Sequence, residues 1–156
     1  MNKEATAYWD SPVGCLAITC SDSHLRSISR VELPPPSQPN EPMSALQSKV
    51  IKQLSEYFEG KRKTFSLPIE QEGTPFQQSV WEELLRIPYG RCISYQGLAG
   101  RIGKPRAYRA VGNANGQNKL CIIVPCHRII RANGEIGGYA YGLEMKQYLI
   151  ELEQKG

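Results

Sequence analysis

The chain has two histidines, and one of them, His127, directly follows a cysteine within Val124-Pro125-Cys126-His127-Arg128. The thiolate is the nucleophilic form of cysteine, and near neutral pH it forms only beside a base or in a positive field. His127, Arg128 and Arg131 supply both in one short segment. Such a thiol could act as a nucleophile, as in a cysteine hydrolase. The same pair also reads as a buried, inert cysteine at the end of an element. Neighbouring side chains point to opposite faces of a strand and diverge by about 100° on a helix, so direct Cys-His contact is difficult. If His127 is the base, a bridging water and a carboxylate on its far nitrogen are expected.

The elements that must position this pair follow from periodicity. Ala5 to Val31 alternates as short strands around the turn Ser11-Pro12-Val13-Gly14, which predicts a small antiparallel sheet. Leu33 to Pro42 holds prolines at 34, 35, 36, 39 and 42, which exclude a helix or central strand and predict an exposed connection. Met43, Leu46, Val50, Ile51, Leu54, Tyr57 and Phe58 recur at helical steps, with Ser44 as N-cap and Gly60 as stop. This helix is expected to pack on the sheet. A polar stretch from Ser66 to Thr74 marks a boundary, predicting domains 1–70 and 71–156.

Thr74-Pro75 opens the next helix, through Phe76, Val80, Trp81, Leu84 and Leu85, and Ile87-Pro88-Tyr89-Gly90 ends it. Ser94 caps a short helix, Gly103-Lys104-Pro105 breaks it, and Arg106 to Gly116 is helical again, which reads as helix-turn-helix. On the second of these helices Ala107, Ala110 and Ala114 share a face, with Arg106 and Arg109 beside it. That face suits either tight helix packing or approach to a groove. Leu120 to Val124 is predicted as a buried strand from its β-branched content, Asn133-Gly134 as a tight turn, and Leu143 to Glu153 as a closing helix.

At 156 residues the chain fits one ordinary domain or two small ones, with 40% apolar residues to build a core. Its longest apolar runs are too short for a membrane helix, and Asn2, Lys3 and Glu4 do not make a signal segment, so a soluble protein is expected. Five cysteines cannot all pair, which favours a reducing compartment. The net charge of +4 is modest, but between Arg86 and Arg109 every charged residue is Lys or Arg. Such a block fits an anionic partner or a merely solvated surface.

Pro125-Cys126-His127-Arg128, followed by Asn133-Gly134 and Gly137-Gly138-Tyr139, resembles the signature of the O6-alkylguanine-DNA alkyltransferases. The likeness extends to Asp10-Ser11-Pro12-Val13-Gly14, Gly73-Thr74-Pro75-Phe76-Gln77, Ile93-Ser94-Tyr95-Gln96 and Arg109-Ala110-Val111-Gly112. It implies an α+β fold, in which a small ribonuclease H-like sheet with a helix packs on a mostly helical domain containing a winged helix-turn-helix. It makes Cys126 the alkyl acceptor, His127 the base acting through water, Glu153 the partner orienting His127, and Asn118 a hinge. Tyr95 would rotate the nucleotide and donate to guanine N3. Backbone near Ile129, Tyr139, Ala140 and Tyr141 would read the base. Arg109 would fill the gap in the stack, with Gln96, Lys104, Arg106, Ala107 and Ala110 also on the DNA. Ala140 stands where some members carry Ser, and Cys121 where some carry Pro.

The implied partner is double-stranded DNA, entered through the minor groove with the alkylated base flipped out. A monomer is expected, cytoplasmic and nucleoid-associated in a bacterium or nuclear in a eukaryote. No cofactor is expected. Some members hold zinc through two Cys and two His, but Ser21 and Arg26 fall at two of those positions. Cys20 and His24 alone do not make a four-ligand site, so no metal is expected either. Two other readings compete: a cysteine hydrolase with turnover, and a non-catalytic binder of alkylated DNA or regulator on the same helix-turn-helix.

Overall fold

The computed structural model describes residues 4–32 and 43–155, and the chain divides into two compact units at residues 71 and 72. The expected proline-rich connection, 33–42, lies outside the described residues.

In the N-terminal unit β1 (Ala5–Ser11), β2 (Gly14–Cys20) and β3 (Leu25–Val31) form an antiparallel meander in the order β1-β2-β3. Ser11 closes the first hairpin, its hydroxyl donating to the Gly14 carbonyl at 2.6 Å. Ala7 stands opposite Ile18, and Ile18 opposite Ile28, so one buried row crosses all three strands. Helix α1 (Ala45–Phe58) turns Val50, Leu54 and Tyr57 into the core, and burying each such side chain stabilises by about 1.5–3 kcal/mol. Ser44 and Gln47 form a reciprocal capping box. Gln47 also donates to the Ala5 carbonyl at 2.9 Å, which ties α1 to the sheet.

The C-terminal unit opens with α2 (Pro75–Leu84), where Pro75 occupies the first turn and Thr74 and Gln77 make a second capping box. Two residues, Ile93–Ser94, form β4, and α3 (Tyr95–Arg101) follows with the Ser94 hydroxyl accepting from the Gly97 amide at 2.9 Å. Helix α4 spans Tyr108–Gly116. It starts two residues later than the periodicity predicts, because the Ala107 amide is spent on a turn to Lys104 and no side chain caps the helix. Trp81 in α2 donates its indole N–H to the Ala114 carbonyl at 2.9 Å, holding α4 against α2.

The largest departure from expectation is 120–124. Despite the β-branched Ile122, Ile123 and Val124, this segment forms a buried turn instead of a strand. The Val124 amide reaches the Leu120 carbonyl at 2.9 Å, and Ile122 takes φ 73°, a left-handed conformation that costs a β-branched residue about 1–2 kcal/mol. Asn118 explains how the turn persists. Its side chain donates to the Val124 carbonyl at 2.9 Å and accepts from the Leu120 amide at 3.1 Å, satisfying both ends of the turn away from water.

A single 3-10 turn follows at Cys126–Arg128, then β5 (Ile129–Ile130), which pairs in parallel with β4. This ladder and the loop beyond it, closed at Asn133-Gly134, flank the helix-turn-helix as its wing. It also places the start of α3 beside the segment that carries Cys126. Helix α5 (Leu143–Lys155) ends the unit and runs slightly past the expected Glu153.

Candidate active site and DNA-binding face

Cys126 is the first residue of the 3-10 turn and is 3% exposed. It lies in the wall of a cleft of about 350 Å³ lined also by Tyr95, Asn118, Tyr139, Ala140 and Tyr141. Burial pushes its thiol up from the ordinary value. Asn118, the Tyr139 hydroxyl and the Lys146 charge pull the other way. The resting group is therefore a thiol, and reaction requires that its proton be removed.

Cys126 and His127 diverge, as adjacent residues on a turn must. His127 is fully buried and turns its Nε2 to Glu153 Oε2 at 2.6 Å, while its Nδ1 has no hydrogen-bond partner among the described residues. Burial lowers the imidazole pKa against the raising effect of Glu153, so the ring is neutral near pH 7. Burial alone would raise Glu153, but hydrogen bonds and charge from His127 and Arg128 hold it well below the usual carboxylate range. An ionised carboxylate only accepts, so Nε2 carries the proton and Nδ1 keeps a free lone pair, the tautomer a base requires.

Arg128 completes this buried group. Its Nε donates to Glu153 Oε1 at 2.8 Å, a second guanidinium nitrogen to Oε2 at 3.0 Å, and a third to the Ile87 carbonyl at 2.6 Å. The Gly90 amide adds a weaker bond to Glu153 at 3.3 Å. One carboxylate thus fixes the imidazole, the guanidinium and the chain after α2.

Tyr95 forms the opposite wall of the cleft. A Cβ at Gly137, where φ is 75°, would stand 3.1 Å from the Tyr95 hydroxyl and 3.3 Å from its ring, whereas one at Gly112 would make ordinary contact with the ring at 3.5 Å. Burial raises the phenol pKa, so its hydroxyl stays a donor. Lys146 of α5 is fully buried, donates to the Gly138 carbonyl at 3.0 Å, and sits 6.0 Å from the Tyr95 ring centre. Burial brings its pKa down to about 8. Tyr139 and Tyr141 meet edge to face, and the Tyr141 hydroxyl reaches the Asn118 carbonyl at 3.3 Å.

The structure thus gathers Cys126, Tyr95, Asn118, Tyr139, Ala140 and Tyr141 around one cleft, with His127 and Glu153 in a hydrogen-bonded pair behind. Ile129 stands apart, fully buried in β5 and paired with Ile93. Gln96, Lys104, Arg106, Arg109 and Ala110 are exposed on the helix-turn-helix, and Ala107 is half-buried. Ala114 is buried where α4 meets α2, so the small-residue face packs at Ala114 and is open to solvent at Ala110. Two buried polar residues of the C-terminal unit escaped sequence reasoning, Lys146 and Asn115, and the Asn115 side chain donates to the Cys126 carbonyl at 3.3 Å. A signal existed for Lys146: it shares a helix face with Leu149 and Glu153, an apolar position occupied by a charge. Among the described residues no group of His, Cys, Asp and Glu could hold a metal ion.

A buried thiol next to a buried histidine–carboxylate pair, in the same unit as a helix-turn-helix bearing exposed arginines, marks a class of protein equipped for thiol chemistry and for an anionic partner such as nucleic acid. Comparisons with known proteins narrow the class. The family described as 6-O-methylguanine DNA methyltransferase matches twice, by its ribonuclease-like domain over residues 5–71 and its DNA binding domain over residues 75–155. The methylated-DNA–protein-cysteine methyltransferase of Methanosarcina barkeri is 41% identical over 93% of this chain and 94% of its own length. The constitutive enzyme of that name from Bacillus subtilis is 55% identical over 65% of this chain and 62% of its own. The crystal structure of Mycobacterium tuberculosis OGT in complex with DNA superposes with a TM-score of 0.86 at 42% identity, covering 95% of this chain and 91% of that one. The chain belongs to the 6-O-methylguanine DNA methyltransferase family.

Proposed function

We propose that this protein reverses alkylation of DNA directly, moving an alkyl group from guanine O6 to Cys126 Sγ once per molecule. The observation that carries the reading is the His127 ring, buried, neutral, held by Glu153 through Nε2 and left with an unpartnered Nδ1 beside the residue whose proton must be taken. A water between Nδ1 and Sγ relays the thiol proton. The thiolate then attacks the alkyl carbon, an S–C bond forms, and the electrons of the C–O6 bond leave with guanine. Tyr95 donates to N3 and absorbs that charge, and the relayed proton returns through it, so the balance closes on neutral guanine. The thioether product has no acyl carbon for water to attack, so the protein is spent.

The target is a base flipped out of duplex DNA, with α4 entering the minor groove and Arg109 replacing the base in the stack. Backbone groups of 139–141 read the guanine edge, Gln96, Lys104, Arg106, Ala107 and Ala110 bear on the DNA, and O4-alkylthymine is a weaker substrate. The protein works as a monomer on chromosomal DNA, in the cytoplasm for a bacterial-type source. Among the described residues no helix is long and apolar enough to cross a membrane.

The test is intact-mass spectrometry after incubation with duplex DNA carrying O6-methylguanine. One added methyl, mapped to Cys126, is expected, with Cys126→Ala unmodified yet still DNA-binding. Repeated turnover by unmodified protein would show a hydrolase-like enzyme instead, and DNA binding with no methyl transfer would show a non-catalytic binder.

A further inference from the structure

A second, mostly apolar cleft of about 390 Å³ lies across Tyr95 from the first and is lined by Tyr95, Gln96, Tyr108, Arg131, Ala132 and Asn133. Tyr95 belongs to both clefts, with Gly112 and Gly137 beside its side chain, so it forms the partition between them. Tyr108, the first residue of α4, is 38% exposed, an unusual position for a large aromatic ring next to Arg109. Arg131 is exposed and pairs with Glu135 at 3.5 Å, a surface pair that an incoming anion readily exchanges.

Aromatic faces and a guanidinium around one cleft match the two parts of a nucleotide. A ring stacks on any base because every base has a π face, and a guanidinium takes a phosphate. Resting on the alkyltransferase reading of the first cleft, we propose that the second cleft seats the nucleotide that adjoins the damaged one on the same strand. Its base lies against Tyr108 and its phosphate on Arg131. Consecutive nucleotides are joined by a single phosphodiester, so one strand can straddle a wall one ring thick. The neighbour is held without regard to its sequence, and its stacking offsets the loss of the damaged base from the helix.

The test compares methyl transfer from the O6-methyldeoxyguanosine nucleoside and from single-stranded dinucleotides carrying the neighbour on the 5′ or 3′ side. The wild type is expected to prefer one dinucleotide over the nucleoside. Tyr108→Ala removes the stacking platform, and Ala132→Phe fills the cleft. Each is expected to lower transfer from that dinucleotide by about tenfold while leaving the nucleoside rate unchanged. Equal wild-type rates on nucleoside and dinucleotides would overturn the proposal, as would either variant losing equally on both. No methyl on Cys126 from any of these or from duplex DNA would instead remove the alkyltransferase reading itself.

Discussion

In the N-terminal sheet Ala7, Ile18 and Ile28 face each other across three regular strands, and all are buried. Over 118–128 in the C-terminal unit there is no regular strand, Ile122 sits at φ 73°, and His127 and Arg128 are buried beside Glu153 at the far end of α5. The first region is held by apolar area and a ladder of equivalent bonds. The second is held by single polar contacts, each with a particular partner. A region of the first kind tolerates change gradually, whereas the second concentrates both strain and chemistry on a few atoms.

Variants that break this contrast can be ranked by their effect on transfer. His127→Ala removes the proposed base and is expected to slow single-turnover methyl transfer by roughly 10²–10⁴-fold. It also changes the pH profile. Because the imidazole pKa is lowered in the fold, the wild-type rate should hold as pH falls through about 6.5 and drop only below it. In the variant the rate should climb with pH through the raised thiol range. Rapid-quench rates between pH 5 and 9 decide this, and a variant profile equal to the wild type's would remove the relay.

Glu153→Gln leaves the buried Arg128 charge without its anion. We expect a loss of about 3–5 kcal/mol in urea unfolding and a transfer rate lower by roughly 10–100-fold. The carboxyl pKa is depressed in the fold, so its contribution is present above the ordinary carboxylate value and lost as pH falls below about 4. The wild type should lose stability over that acid window while the variant does not. Parallel losses in both would place the effect elsewhere.

Glycine substitutions sharpen the contrast within the C-terminal unit. Gly137→Ala and Gly134→Ala both place a Cβ at positive φ, with φ 75° and 90°, and each should cost about 1 kcal/mol. Only at 137 does the new Cβ stand 3.1 Å from the Tyr95 hydroxyl, so only that variant should slow transfer. Equal rates in the two would show that Tyr95 has room to move. At the bottom of the ranking, Leu16→Ala in the sheet should cost about 2–5 kcal/mol on melting yet leave the rate of the folded fraction unchanged.

The amino-acid order alone determined the elements whose causes are local. Alternation about Ser11-Pro12-Val13-Gly14 sets the hairpin, Ser44, Thr74 and Ser94 set three helix starts, and Cys126-His127 announces the thiol. Lys146 was legible in principle as a charge on an apolar helix face, but nothing local names the Gly138 carbonyl it meets. Residues 120–124 were misread because β-branched side chains favour a strand when only neighbours are counted. The tertiary structure overrode that preference, since the bonds from Asn118 and complete burial outweigh a φ penalty of about 1–2 kcal/mol. Tertiary structure likewise decided the tautomer of His127, the pairing of Arg128 with Glu153 and the two clefts on either side of Tyr95. Each depends on groups far apart in the chain meeting in a medium that excludes water, where one partner fixes a proton or a charge that local sequence leaves undetermined.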